Sequence, residues 1–194
     1  VIEESQLLDR KIKTLFKPSK DIDFDITEVA NEGDFDLLLV GLGQSIFEGS
    51  LLGKVLGFTT RIINPDIFIS KVKGQEKLFD NSPFDERTRI ILSRSKVPVG
   101  ILIDKELQKT DRVFVPVFDA EDTFLLKYVQ KMIKNSGAQI TILDATGQIH
   151  KSPEFNEKIR AIEHIAPNHI LLASDKIIEK DFLQQTDLMM ISLE

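Results

Sequence analysis

The amino-acid sequence predicts an α/β fold built on an open, mostly parallel sheet with flanking helices. Three observations carry that reading. Short apolar runs recur at residues 37–40, 97–103, 113–117, 139–143, 169–173 and 188–193, and helical periodicity fills most of the intervals between them; such alternation marks strand–helix–strand units. The run Leu37-Leu38-Leu39-Val40, between Asp36 and Gly41, shows no polar alternation, as expected of a strand covered on both faces. Helix start and stop signals fall where the alternation needs them, as where Glu121 and Asp122 open a helix that Gly137 closes.

Taken in order, residues 2–16 place Ile2, Leu7, Leu8, Ile12, Leu15 and Phe16 on one side of a helix that Lys17-Pro18 ends. Residues 21–24 fit a short strand, and Asp25-Ile26-Thr27-Glu28 the capped start of a brief helix stopped by Gly33. After the 37–40 strand and its glycine turn, Ser45-Ile46-Phe47-Glu48 has capping-box spacing, and Phe47, Leu51, Leu52, Val55, Leu56 and Phe58 follow at helical intervals. Asn64-Pro65-Asp66 supplies an N-cap, a first-turn proline and an acid for a short helix closed by Gly74. Ser82-Pro83-Phe84-Asp85-Glu86 repeats the start signal for a helix running to Arg94 and Lys96, whose charges suit its C-terminal end. Residues 97–103 make a second buried strand. Beyond polar residues 104–111 come the 113–117 strand, a helix with Phe124, Leu125, Tyr128, Val129, Met132 and Ile133 on one side, and the 139–143 strand. A helix over 153–166 turns Phe155, Ile159 and Ile162 inward; the 169–173 strand, a helix over 177–184 and a last strand from Leu188 complete the series.

Charge and composition narrow the function. The 194 residues, 42% hydrophobic, are enough for a buried core as one domain or two small ones. A net charge of −6, with acids and bases interspersed, lacks the basic footprint of nucleic-acid binding, so nucleic acid is rejected as the main partner. The absence of cysteine removes disulfides, thiolate metal sites and cysteine nucleophiles, and fits a reducing compartment. No apolar run reaches the roughly 18 residues of a membrane span, and an opening Val1 fits a piece of a longer chain.

The sequence also echoes itself. Asp36-Leu37-Leu38-Leu39-Val40-Gly41 and Asp187-Leu188-Met189-Met190-Ile191-Ser192 are each an acid followed by an apolar strand. They divide the chain into two related, truncated tandem halves, residues 1–108 and 111–194, the first missing its beginning and the second its end. Phe35 to Gly41, a helix, and then Val97-Pro98-Val99-Gly100-Ile101-Leu102-Ile103 resembles the second half of a universal-stress-protein domain. Val113-Phe114-Val115-Pro116-Val117, with acids opening the next helix, resembles the start of another. The tandem pattern most resembles the cytoplasmic C-terminal region of monovalent cation:proton (Na+/H+) antiporters. That resemblance implies a Rossmann-like fold, a location at the cytoplasmic face of the membrane, the membrane domain of the same transporter as partner, and a regulatory role.

Candidate sites follow from the residues and the resemblance together. Gly41, Gly43, Gln44 and Ser45 form the loop after the first strand, where an adenine nucleotide is the ligand class the resemblance implies. Nucleotide-binding stress-protein domains carry Gly-x-x-Gly, nine residues, then Gly-Ser or Gly-Thr. Here Gln44 replaces the second glycine, and Gly53-Lys54 comes one position early without the hydroxyl. A capping box at Ser45 and Glu48 also uses donors an anion needs. The alternative is a tight turn and nothing more. Asp119, Glu121, Asp122 and Asp144 gather at the carboxyl ends of neighbouring strands, as a small-ligand or cation site or as helix caps and a solvated rim. Phe58, Ile62, Ile67, Phe68 and Val72 exceed what one short helix needs and mark a protein interface, for a homodimer or the transporter's membrane domain, or else ordinary core. His150, His164 and His169 lack metal-ligand spacing, and no nucleophile–base arrangement assembles, so no metal and no enzyme are expected. The reading is a non-enzymatic regulatory domain of an antiporter. The alternative is a free-standing, nucleotide-binding universal stress protein.

Overall fold

The computed structural model describes residues 14–42, 62–63, 86–104, 107–147, 151–173 and 178–192, and within them the chain is α/β, with parallel strands and flanking helices compatible with a Rossmann-like fold. The described residues divide into two compact units. One holds 14–40 and 86–100, and the other holds the remainder.

In the first unit, helix α1 (Ile22–Glu32) packs on α2 (Glu86–Arg94), with Thr27 and Ala30 buried on the one and Thr88 and Ile91 on the other. Residues 21–24, expected as a strand, are instead the beginning of α1. The Asp21 carboxylate accepts from the Phe24 amide at 3.1 Å, and Asp23 and Asp25 sit in the first turn, where the helix dipole favours acids. Asn31 then closes α2. Its amide nitrogen donates to the Arg94 carbonyl (3.0 Å), one of the groups a helix end leaves open, and its oxygen accepts from the Lys96 amide (2.6 Å) just beyond. Residues 14–16, the described end of the helix expected over 2–16, are not helical.

Strand β1 (Leu38–Leu42) pairs with β3 (Val99–Ile103), while β2 (Ile62–Ile63), between them in the chain, pairs elsewhere. Strand β1 departs from the expected two-sided burial, since Leu39 is 58% exposed, and β3 is half-buried along its length. An unbroken apolar run identifies a strand but not how many of its faces are covered. Gly100 lies beneath this surface, where an added Cβ would come within 3.1 Å of Leu39 Cδ1 and 3.4 Å of Leu37 Cδ1.

The second unit is organised by β4 (Arg112–Val117), a 3-10 turn over Glu121–Phe124, α3 (Leu125–Ser136), β5 (Gln139–Asp144), α4 (Pro153–Ile165), β6 (Ile170–Ala173), β7 (Ile178–Glu179), α5 (Lys180–Gln184) and β8 (Leu188–Met189). Four strands form one sheet in the order β6-β5-β4-β8, every neighbour parallel. Alternation divides their side chains between two faces. Val113, Val115, Val117, Ile140 and Ile142 meet Leu126, Val129 and Ile133 of α3 and Phe155, Ile159 and Ile162 of α4. Phe114, Phe118 and Leu143 meet Phe182 and Leu183 of α5 on the other face, with the Phe114 and Phe182 rings edge to face at 5.2 Å. The strands therefore carry helices on both sides, and the chain reverses direction across the sheet between β4 and β8.

The acid of the sequence echo has a concrete task here. The Asp187 carboxylate accepts from the Arg112 amide (2.8 Å), and its own amide donates to the Arg112 carbonyl (2.9 Å), which fixes β8 beside β4. Part of the helix expected over 177–184 is strand. Residues 178–179 pair antiparallel with β2, and α5 begins only at Lys180. The last strand is also shorter than expected; its ladder covers Leu188–Met189, with the Met190 amide reaching the Phe114 carbonyl at 2.9 Å.

Gly137 ends α3 in the left-handed region, at φ 68° and ψ 24°, with its amide bonded to the Ile133 carbonyl. No side-chain space is contested there, so Gly137→Ala isolates the conformational term. It is expected to cost about 1 kcal/mol in chemical denaturation without altering the denaturant slope.

Candidate functional site

In open α/β sheets, ligands bind beyond the carboxyl ends of the strands, where the strand order reverses. The order reverses between β4 and β8, and the acids expected at the carboxyl ends of neighbouring strands follow β4 and its other neighbour, β5. Val117 and Asp144 stand opposite each other in the β4–β5 register, and Asp119 follows two residues later, so both reach the same edge. Their carboxylates are turned onto their own turns. Asp122 is 5% exposed and accepts from the Phe118 amide at 2.6 Å and the Asp119 amide at 3.2 Å. Asp119 in return accepts from the amides of Glu121 (3.0 Å) and Asp122 (3.3 Å). Asp144 accepts from the Gly147 amide at 2.8 Å and the Thr146 hydroxyl at 3.4 Å.

This edge thus has the backbone N–H groups a phosphate would use, but each of the five is bonded to a carboxylate of the same loop system. An anion entering here would have to displace those carboxylates and approach their charge. Among the described residues no group of three or more histidines and acids is arranged to hold a metal ion. His169 lies at the start of β6, its Nδ1 3.0 Å from the Ala138 carbonyl oxygen, and His164 is exposed on the last turn of α4.

Gly41 lies within β1 and has open space around it. Gly43, Gln44 and Ser45 fall outside the described residues, as do Phe58, Ile67, Phe68 and Val72 of the expected interface. Ile62 is in β2, whose backbone pairs with β7. The structure therefore brings Asp119 and Asp144 to one edge and places Gly41 in a different sheet.

The first unit carries a feature that local sequence patterns did not single out. An open groove of about 440 Å³ is lined by Leu15, Ile22, Ile26, Phe35, Leu37 and Leu38, with Lys17 and Asp25 among its polar groups. Lys17 bonds to Asp25 at 2.9 Å and Glu28 at 2.6 Å. The Asp25 bond, followed by that to Glu28, holds the ammonium above the usual lysine range, while Lys17 and then Ser19 hold the Asp25 carboxyl below its ordinary 3.8. One cation facing two carboxylates leaves no positive charge for an anionic ligand. The signal lay in Leu15, Ile22 and Phe35, apolar residues on separate segments whose convergence only the fold reveals.

The fold and this edge define a class, an α/β domain whose parallel sheet carries helices on both faces and whose acids at the carboxyl ends of β4 and β5 cap their own turns. Compared with protein-family models, curated proteins and solved structures, the chain matches none. Among the described residues no helix is long and apolar enough to cross a membrane.

Proposed function

We propose that this chain is a non-enzymatic regulatory domain of a monovalent cation:proton antiporter, acting at the cytoplasmic face of the membrane through its contacts with the transporter's membrane domain. The sequence resemblance supplies the family. The observation that carries the mode of action is the bonding of the Phe118, Asp119, Glu121, Asp122 and Gly147 amides to Asp119, Asp122 and Asp144. Closing the usual phosphate position in this way favours regulation by a protein contact over regulation by a nucleotide. The mechanism is then a population shift, in which the contact is made better in one state of the transporter than in the other and biases the equilibrium by that difference.

A second reading, a free-standing nucleotide-binding stress protein, draws on the β4–β8 reversal, the place where such sheets bind ligands. Thermal unfolding separates the two. Under the regulatory reading, millimolar ATP, ADP, AMP or cyclic dinucleotides leave the midpoint unchanged. A ligand at 100 times its Kd stabilises by about 2.7 kcal/mol, so a shift of several degrees would transfer support to the second reading. Transport tests the first directly. If the complete gene product drives no cation-dependent proton exchange in everted vesicles, or if deleting this domain leaves that exchange unaltered, the antiporter reading fails.

A further inference from the structure

The groove of the first unit has room for a small molecule, and its walls and charges favour one kind. Its volume of about 440 Å³ falls in the range of small-molecule sites, roughly 300–1,000 Å³. It is walled by α1 and by residues just before and after that helix in the chain. Leu15, Ile22, Ile26 and Phe35 line it and are all exposed, so large apolar side chains stand together at one opening. The Phe35 ring rests directly on the backbone of Gly33, where no Cβ would fit.

Charge selects among apolar occupants. From its cap to its last residue, α1 carries Asp21, Asp23, Asp25, Glu28 and Glu32 and no basic residue. Arg87 bonds Asp23 at 3.0 Å, and Lys17 bridges Asp25 and Glu28. Lys17 and Asp25 both line the groove, so a primary ammonium at the end of an apolar stem already sits on the groove's carboxylate, at 2.9 Å. An ionised carboxylate has up to about four acceptor sites, and Lys17 bonds one oxygen of Asp25 and one of Glu28.

We infer that the groove binds an aliphatic ammonium compound, an apolar chain carrying one cationic head. The chain lies against Ile22, Ile26 and Phe35, and the head takes the Asp25 carboxylate in the manner, and partly in the place, of Lys17. An anionic head would meet the acids of α1, and a neutral one would gain nothing from them. Lys17 is then a tethered competitor that holds the carboxylates until a ligand arrives, and its half-exposed side chain can swing into water without opening the core. This inference does not rest on the antiporter reading.

Calorimetric titration of the intact chain with octylammonium, octanoate and octanol, each below the concentration at which it self-associates, tests the inference. Octylammonium should bind at least roughly tenfold more tightly than the other two, since only it makes a charge-assisted bond to Asp25. Asp25→Asn should erase that preference. Lys17→Met should act in the opposite direction and tighten octylammonium binding severalfold, because the competing cation is gone; a lysine that merely supported the wall would weaken binding when lost. Amide resonances perturbed by octylammonium should fall within residues 15–38. The inference is overturned if octanoate or octanol binds as tightly as octylammonium, if the preference survives in a folded Asp25→Asn variant, if Lys17→Met binds no more tightly than wild type, or if the perturbed amides lie mainly in the second unit. It is overturned equally if none of the three compounds binds, the result expected of a groove covered by another part of the chain or by a second copy. Should Asp25→Asn lose its far-UV spectrum, the wild-type ranking and Lys17→Met decide.

Discussion

Asp122→Ala is expected to destabilise the second unit by about 3 kcal/mol, because the carboxylate it removes satisfies two amides at once. The Phe118 and Asp119 N–H groups both point at Asp122 Oδ2, over 2.6 and 3.2 Å, in a site from which Asp122 itself is almost wholly excluded from water. Hydrogen bonds to a charged acceptor contribute roughly 1.5–3 kcal/mol, and a buried donor left without an acceptor costs about 1–3 kcal/mol. Asp122→Asn keeps an oxygen in place without the charge and should lose only about 1 kcal/mol. Urea denaturation of the three proteins tests that order; an alanine variant within about 0.5 kcal/mol of wild type, the range of an ordinary surface substitution, would contradict the capping account. The alanine variant also probes the proposed function. Freed of the carboxylate, the two amides become a small anion site, so inorganic phosphate should raise the midpoint of Asp122→Ala and leave wild type unmoved. Equal stabilisation of both proteins would mean that the wild-type edge is open to anions and would weaken the regulatory reading.

The parts of this fold that were legible in the sequence are those whose signals are local. Val113, Val115 and Val117 with Ile140 and Ile142 form apolar strands whose partners are the next elements in the chain. Gly137 marks a helix end and Pro153 a helix start by their own backbone preferences; the structure adds the cap, with the Ser152 hydroxyl accepting from the Phe155 amide. The beginning of α1 was misread for an identifiable reason. Asp21, Ile22, Asp23, Phe24, Asp25 and Ile26 alternate with the period of a strand, while the face that α1 buries consists of Thr27 and Ala30, too small to announce a helical stripe. Strand β7 was illegible because its partner, β2, lies more than a hundred residues earlier in the chain, and tertiary pairing overrode the local helical pattern. At the candidate site the acids were legible as a group at one sheet edge. Their capping role was one of the readings the sequence allowed; which amides each carboxylate takes was not legible, because that depends on the φ and ψ of the loop, which composition does not encode.

Phe155→Ala is expected to have the largest effect of any single substitution on the second unit, a loss of about 3–5 kcal/mol. Phe155 is 1% exposed and stands among Val129 and Ile133 of α3, Ile159 of α4 and the inward residues of β4 and β5. Its removal leaves a void that four different elements would have to close, and each is held by its own hydrogen bonds, so little of the cost is recovered by relaxation. Against a typical domain stability of roughly 5–15 kcal/mol the loss is a large fraction of the total. Phe155→Leu retains most of the volume and should cost less than half as much. The chain offers a probe confined to this unit: it has one tyrosine, Tyr128, half-buried in α3, and no tryptophan. Tyrosine fluorescence therefore follows the second unit, whereas far-UV dichroism follows both. In Phe155→Ala the fluorescence midpoint should fall to markedly lower urea. If it stays in place while dichroism shifts, the core centred on Phe155 is not what holds α3 to the sheet, and the two-faced packing of the second unit is wrong.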